Sequence, residues 1–243
     1  MIKHNITSAV LIMASIGILA LPANAQEKRV VKARAICFER TAETPDIFIS
    51  GPKEPYKILM PVEGFSMTFK CALDQGKAIF YKEDGVKPDG TPRRKIVAQT
   101  KVNGSMSKVL FYFVPNKEGA KRLYQVIAME DGLKRFPLGH TRLLNLSDSE
   151  VVFQLGEHVK RLSSGKSAHV AEVTKRNDFN MALVVCKMKT KDGQWRTISE
   201  SRTRFTNRKR LLVVSYVNPA TRQPQLKFYK DIPIGPPPPL PNE

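Results

Sequence analysis

The chain makes one structural move twice. Residues 108–131 read KVLFYFVPNKEGAKRLYQVIAMED, and residues 210–231 read RLLVVSYVNPATRQPQLKFYKD. Each is an apolar run, a turn-like stretch and a second apolar run. The match extends upstream in order. ARAICFERTAETPDIFISG (33–51) aligns with HTRLLNLSDSEVVFQLG (140–156), YKILMPVEGFS (56–66) with VKRLSSGKS (159–167), and AIFYKEDG (78–85) with LVVCKMKTKDG (183–193). Each pairing alone is weak, but a fixed order at a spacing of about 100 residues is the mark of an internal repeat. A chain built this way folds as two like units, and that constraint precedes any statement about composition.

The repeated unit reads as β. Its apolar runs are short and rich in Val, Ile, Phe and Tyr. Several alternate with period two, as in FSMTFKC (65–71) and TRLLNL (141–146). Turn residues punctuate them: Asp84-Gly85, Asp89-Gly90, Pro115-Asn116, Asp192-Gly193 and Asn218-Pro219. Residues 117–130 compete as a helix. Their partner in the second unit contains Pro224, which a helix interior rejects, so 123–130 is expected as a strand after at most one helical turn. The expected fold is all-β: two tandem immunoglobulin-like β-sandwich domains of about 100 residues each, at 26–138 and 139–232. The extra length at 83–94 is expected as a tolerated hairpin tip.

The ends stand apart from the repeat. Residues 1–25 carry Lys3 and His4, an apolar run from Ile6 to Leu21, then Pro22 and Ala23-Asn24-Ala25. That is the order of a secretory signal peptide, with cleavage after Ala25. The chain is therefore expected beyond an inner membrane, in the periplasm, at an outer membrane or secreted. Residues 233–243 form a Pro-rich tail, whose four consecutive prolines favour an extended polyproline rod over a sheet strand.

The opening of each unit resembles a loose group of secreted bacterial tandem β-sandwich repeat proteins of uncharacterised function. In that group a strand ending in Asn-x-Ser leads to a second strand ending in Gly, then to Leu-x-x-Gly-x-Ser. The second unit supplies NLS at 145–147, VVFQLG at 151–156 and LSSGKS at 162–167. The first unit departs at its start, with CFER at 37–40. The resemblance implies an Ig-like sandwich and carries no activity or site residues with it.

The formal net charge is +18. Residues 26–139 hold 21 basic and 13 acidic side chains, and residues 140–232 hold 18 and 8, so the excess belongs to both units rather than to a tail. Such a field attracts anionic surfaces. An exported chain seldom meets intracellular nucleic acid, so an anionic envelope polymer or lipid surface is the expected partner. A protein partner through strand edges or the Pro-rich tail stands beside it. One concentrated feature could be a site: WRTISESRTRFTNRKR (195–210), where Arg196, Arg202 and Arg204 share strand parity and Arg208, Lys209 and Arg210 follow in the next turn. Guanidinium groups suit phosphate and carboxylate. The competing expectation is a solvated strand whose charges block edge pairing.

Catalytic chemistry has few handles. Cys37, Cys71 and Cys186 are an odd set. Cys37 with Cys71 would be the pair if a disulfide formed, yet Cys71 reads as a core residue and Cys37 as facing the other way. His140, His158 and His169 have no metal-ligand spacing, and His158 and His169 could meet only through the fold. No catalytic, cofactor or metal residues are expected. The expected function is non-enzymatic binding or envelope structure. The alternatives are a hydrolase or other enzyme on the same scaffold and a general polyanion binder whose targets include extracellular DNA.

Overall fold

A computed structural model of the chain describes residues 28–41, 45–218 and 220–232. The expected leader, its cleavage point and the Pro-rich tail lie outside the described residues. Within them the protein is all-β, with sixteen strands in four four-stranded sheets. The first eight are β1 (Val30–Cys37), β2 (Ile47–Ser50), β3 (Pro55–Ile58), β4 (Phe69–Ala72), β5 (Lys77–Val86), β6 (Pro92–Lys101), β7 (Lys108–Pro115) and β8 (Tyr124–Glu130). The rest are β9 (Thr141–Asn145), β10 (Val151–Leu155), β11 (His158–Leu162), β12 (Ser167–Val170), β13 (Met181–Lys189), β14 (Trp195–Arg204), β15 (Arg210–Val217) and β16 (Pro224–Asp231). The expected strand at 123–130 is present as β8, one residue shorter at its start, as the Pro224 comparison implied.

The sheet orders are β4-β1-β7-β8 and β3-β2-β5-β6, then β12-β9-β15-β16 and β11-β10-β13-β14. Adding eight to each strand of the first pair gives the second. In both halves the first strand pairs parallel with the seventh of its set: β1 with β7, and β9 with β15. The expected boundary at 138–139 falls in the connection between β8 and β9.

Each pair of sheets shares one core. In the first, Val31, Ala33, Ala35 and Cys37 of β1 meet Ile47, Ile49, Phe80, Phe111 and Phe113. Phe80 sits edge-on to Phe111 and Phe113, with ring centroids 5.1 and 4.8 Å away. The second core is largely aliphatic, with Leu143, Val151, Phe153, Leu155, Val184 and Val213. The glycines aligned in the sequence both close the second strand because a Cβ does not fit. At Gly51 it would stand 2.3 Å from the Glu54 carbonyl oxygen. At Gly156 φ is +55° and a Cβ would stand 2.7 Å from Val173.

A third apolar cluster joins the halves. It contains Ile36, Leu110, Tyr112 and Met129 from the first half, and Leu144, Leu212, Val214 and Tyr229 from the second. These residues alternate with the core residues along their strands, so β1, β7, β9 and β15 are buried on both faces. That is the physical origin of the runs VLFYFV and LLVVS: a strand with two covered faces loses polar alternation. Sheet β4-β1-β7-β8 thus packs against sheet β12-β9-β15-β16, and the four sheets stack as layers.

The double burial corrects one expectation. Cys37 does not face away from Cys71; both lie in the first core. Ile36 and Phe38, which seemed to mark the core side, face the other half. All three cysteines are free and buried. Cys71 pairs in register with Val31, six residues along β1 from Cys37, so the two thiols are separated by roughly 20 Å of strand and cannot bridge. Burial pushes the thiols up, to about 11 for Cys37 and about 12 for Cys71 and Cys186.

The Asn-x-Ser motif is structural. Buried Asn145 accepts from the Ser147 amide and hydroxyl at 3.0 and 2.7 Å and from the Ser215 hydroxyl at 3.0 Å. Its amide donates to the Ser149 and Leu162 carbonyls. In the first half the register puts Cys37 and Phe113 where Asn145 and Ser215 stand. CFER departs from the motif because an apolar pair fills the position of a hydrogen-bonded one.

Candidate anion-binding surfaces

The basic stretch 195–210 does not form one face. β14 is an edge strand beside β13. Its register shifts between Cys186 and Lys187, so Cys186 opposes Ser199 while Met188 opposes Arg196. The extra residue is Ile198, which packs on the second core. This bulge reverses the alternation. Arg202 and Arg204, opposite Leu183 and Met181, point away from the core, whereas Arg196 shares the side of Met188. Parity counted along the sequence fails here because it presumes an unbroken ladder.

Arg196, Arg202, Arg204 and Arg208 are exposed, and among the described residues none is in an ion pair. Arg208 lines a small cleft with Arg176, Asn180, Thr206 and Asn207. Lys209 is partly buried, and burial, with Lys230 and Arg204 nearby, lowers its pKa from the ordinary lysine value. Arg210 is elsewhere in function: it is 2% exposed and belongs to the contact between the halves. The structure thus keeps Arg202, Arg204, Arg208 and Lys209 on or near one surface and removes Arg196 and Arg210 from it.

That contact holds the most organised polar cluster. Arg34 donates from Nε and Nη2 to Asp131 at 2.7 and 2.8 Å, and from Nη1 and Nη2 to Asp231 at 2.9 and 2.8 Å. Arg210 donates to Asp231 from Nε at 2.8 Å and closely from Nη2, and to Asp131 Oδ1 at 3.0 Å. Arg210 Nη1 also donates to the Asp131 and Phe136 carbonyls. Phe65 and Phe136 cover the guanidinium faces of Arg34 and Arg210 at 4.7 Å each. Burial pushes the Asp231 carboxyl up, but Arg34 and Arg210 outweigh it and hold it below the ordinary carboxylate range. Beside this tetrad the Tyr112 and Tyr229 hydroxyls meet at 3.0 Å.

The tetrad floors an open groove of about 830 Å³ between the halves. Its rim carries Lys32, Lys108 and Lys230, all exposed, and its wall carries Phe65, Met67, Leu133 and Ile232. Sequence reasoning missed this place. Its signal was present in the repeat: Asp131 follows β8 directly and Asp231 is the last residue of β16, so each unit ends its closing strand on an aspartate, and Arg34 aligns with Arg142 in the openings of the two units.

The histidines meet in an unexpected pairing. His140 Nδ1 and His169 Nε2 lie 3.0 Å apart with rings stacked at 4.8 Å, beside Phe136. Burial first, then His140, Arg142 and Lys160, lowers the His169 pKa. His158 instead contacts the Glu172 carbonyl at 3.1 Å. Among the described residues no group of three or more His, Cys, Asp or Glu is placed to hold a metal ion.

The chain matches no protein-family model and no curated protein sequence.

Proposed function

We propose that this is an exported, non-enzymatic binding or envelope protein, organised as two tandem units at 26–138 and 139–232, whose basic surface contacts anionic envelope polymers or lipid. The observation that carries the reading is the set of exposed cations without acidic partners, Arg202, Arg204 and Arg208 foremost, on a molecule of net charge +18. A charge excess left unneutralised on both halves costs self-repulsion in the free protein and is relieved by an anionic partner. The fold offers the alternative hydrolase little: Asp131 and Asp231 converge, yet both are engaged by Arg34 and Arg210, where paired-carboxylate hydrolysis needs acids free to exchange protons. Extracellular DNA remains a polyanion that the same surface would adsorb.

The test is adsorption to anionic vesicles and to an anionic polysaccharide over a salt series, since exposed charges are screened within about 8–10 Å at physiological ionic strength. Binding should fall steeply with salt. Replacing Arg202, Arg204 and Arg208 with Gln should weaken it more than replacing Lys57, Lys121 and Lys166, although the charge removed is the same. Equal losses would assign adsorption to the whole-molecule field. No adsorption at low salt would end the reading.

A further inference from the structure

We propose that the groove between the halves binds a single anionic amphiphile: a phosphate- or carboxylate-bearing head among Lys32, Lys108 and Lys230, and an alkyl chain along Phe65, Met67 and Leu133. It deepens the reading above and rests on it only in taking an anionic ligand.

Three observations converge on this place. The first is a row of like charges. Lys32 on β1 pairs in register with Lys70 on β4 and with Lys108 on β7, so three ammonium stems stand side by side on one face of the sheet, about 4.8 Å apart from strand to strand. Like charges opposite one another destabilise a sheet, and among the described residues none of the three, nor Lys230, is in an ion pair. Asp131 and Asp231, the nearby carboxylates, do not relieve them because Arg34 and Arg210 already hold both. An arriving anion would therefore meet free cations over a floor that cannot repel it with free negative charge.

The second observation is apolar. Met67 is 80% exposed, Ile232 66% and Leu133 47%. Large apolar side chains this open are individually unremarkable, but these three line one groove beside Phe65. Clustering of this kind marks an interaction site. The third is size. About 830 Å³ lies within the usual span of small-molecule sites, roughly 300–1,000 Å³. Cations at the rim and apolar side chains on the wall fit a ligand with one charged end. Inorganic phosphate would leave the wall unused, and a neutral alkyl chain would leave the lysines unrelieved.

The test is calorimetric titration of the full-length mature protein with dodecyl phosphate below its micellar concentration. One saturable site is expected, with inorganic phosphate and dodecyl maltoside each weaker by about tenfold or more. The Lys32→Gln, Lys108→Gln, Lys230→Gln triple variant should weaken dodecyl phosphate by about tenfold or more, and Met67→Ser with Leu133→Ser by several-fold. Arg202→Gln, Arg204→Gln, Arg208→Gln should leave it within about twofold. The lysine variant should melt no lower than wild type, because it removes repulsion; the Met67 and Leu133 variant tests the site independently of that charge change. The proposal is overturned by the lack of a saturable site, by equal losses in the lysine and arginine triples, or by inorganic phosphate binding as tightly as dodecyl phosphate. Salt-dependent polymer adsorption that persists without a saturable amphiphile site would overturn the groove and spare the surface reading. Saturation of the groove without polymer adsorption would do the reverse.

Discussion

Asp231→Asn is the most informative perturbation of the contact between the halves. The Asp231 side chain is 5% exposed, and its carboxylate accepts from two guanidinium groups, Arg34 across the contact and Arg210 on the paired strand. Asparagine keeps the shape and one acceptor oxygen but removes the charge. Arg34 and Arg210 would then share Asp131 alone. Removing one member of a buried ion pair costs about 3–5 kcal/mol, because the remaining charge is left without compensation. The retained acceptor argues for the lower end, about 3 kcal/mol. In a chain of this length each kcal/mol shifts the melting temperature by about 2–4 °C, so a fall of about 6–12 °C is expected.

The pH dependence has a fixed sign. The Asp231 carboxyl is held below its ordinary range in the folded state, with burial opposed and outweighed by Arg34 and Arg210. Its contribution is therefore present above the unfolded value of about 3.9 and is lost as pH falls through the lower folded value. Chemical denaturation of the two proteins should show the full gap at pH 7 and a narrowing gap below about pH 4. A gap under about 1 kcal/mol at pH 7, or one that does not close in acid, would refute the assignment of Asp231 as a buried, charged partner of both arginines.

Other perturbations test the same frame. Tyr112→Phe leaves the buried Tyr229 hydroxyl without its 3.0 Å partner and should cost about 1–2 kcal/mol, while the double Phe variant should cost less than the two singles together. The thiols should be inert to a disulfide reagent in the folded protein and react as three equivalents in denaturant, measured by thiol titration, since all three are buried with raised pKa values. Gly156→Ala should cost about 1–3 kcal/mol in denaturant unfolding, because φ is +55° and Val173 occupies the space of the new methyl. The proposed export predicts Gln26 as the N-terminus in mass spectrometry of the protein from cells; retention of Met1 in a membrane fraction would favour a membrane anchor instead.

How much was legible in the sequence depended on whether one periodicity governed a strand. Within β4 alternation held, and Phe69 and Cys71 both face the first core. It failed just before the strand, where Phe65 packs towards the other half and Met67 is 80% exposed, because FSMTFKC is extended as a ladder only from Phe69. Where both faces are buried the same rule lost its reference. Cys37 lies among Ile36 and Phe38, and all three positions favour apolar side chains for different reasons, so periodicity could not say which side held the core. A bulge had a similar effect on Arg196, because one unpaired residue, Ile198, exchanges the faces of everything beyond it. The groove was illegible for a third reason. Lys32, Lys70 and Lys108 are distant in sequence and become neighbours only through the pairing of β4, β1 and β7.

The contact between the halves also changes what the repeat implies for folding. Two similar sequence units invite the expectation that a cut at 137–139 yields two independent folds. Each half does have its own core. Yet each also presents a second apolar face to the other: Ile36, Leu110, Tyr112 and Met129 on one side, Leu144, Leu212, Val214 and Tyr229 on the other. Separation would expose both faces and leave Arg34 without Asp231 and Arg210 without Asp131. Exposed patches of this kind drive association. The halves expressed together should therefore copurify as a one-to-one complex, and either half alone should aggregate or self-associate through the same sheet. The charged tetrad sharpens that expectation. Apolar sheets alone can slide against each other, whereas two arginines shared between two aspartates are satisfied in one register. If each half alone is monomeric, soluble and as stable as the whole chain, the apolar contact contributes little and the tetrad must hold the halves unaided. Copurification that survives apolar-face substitutions such as Leu110→Asp but fails with Asp231→Asn would show the same.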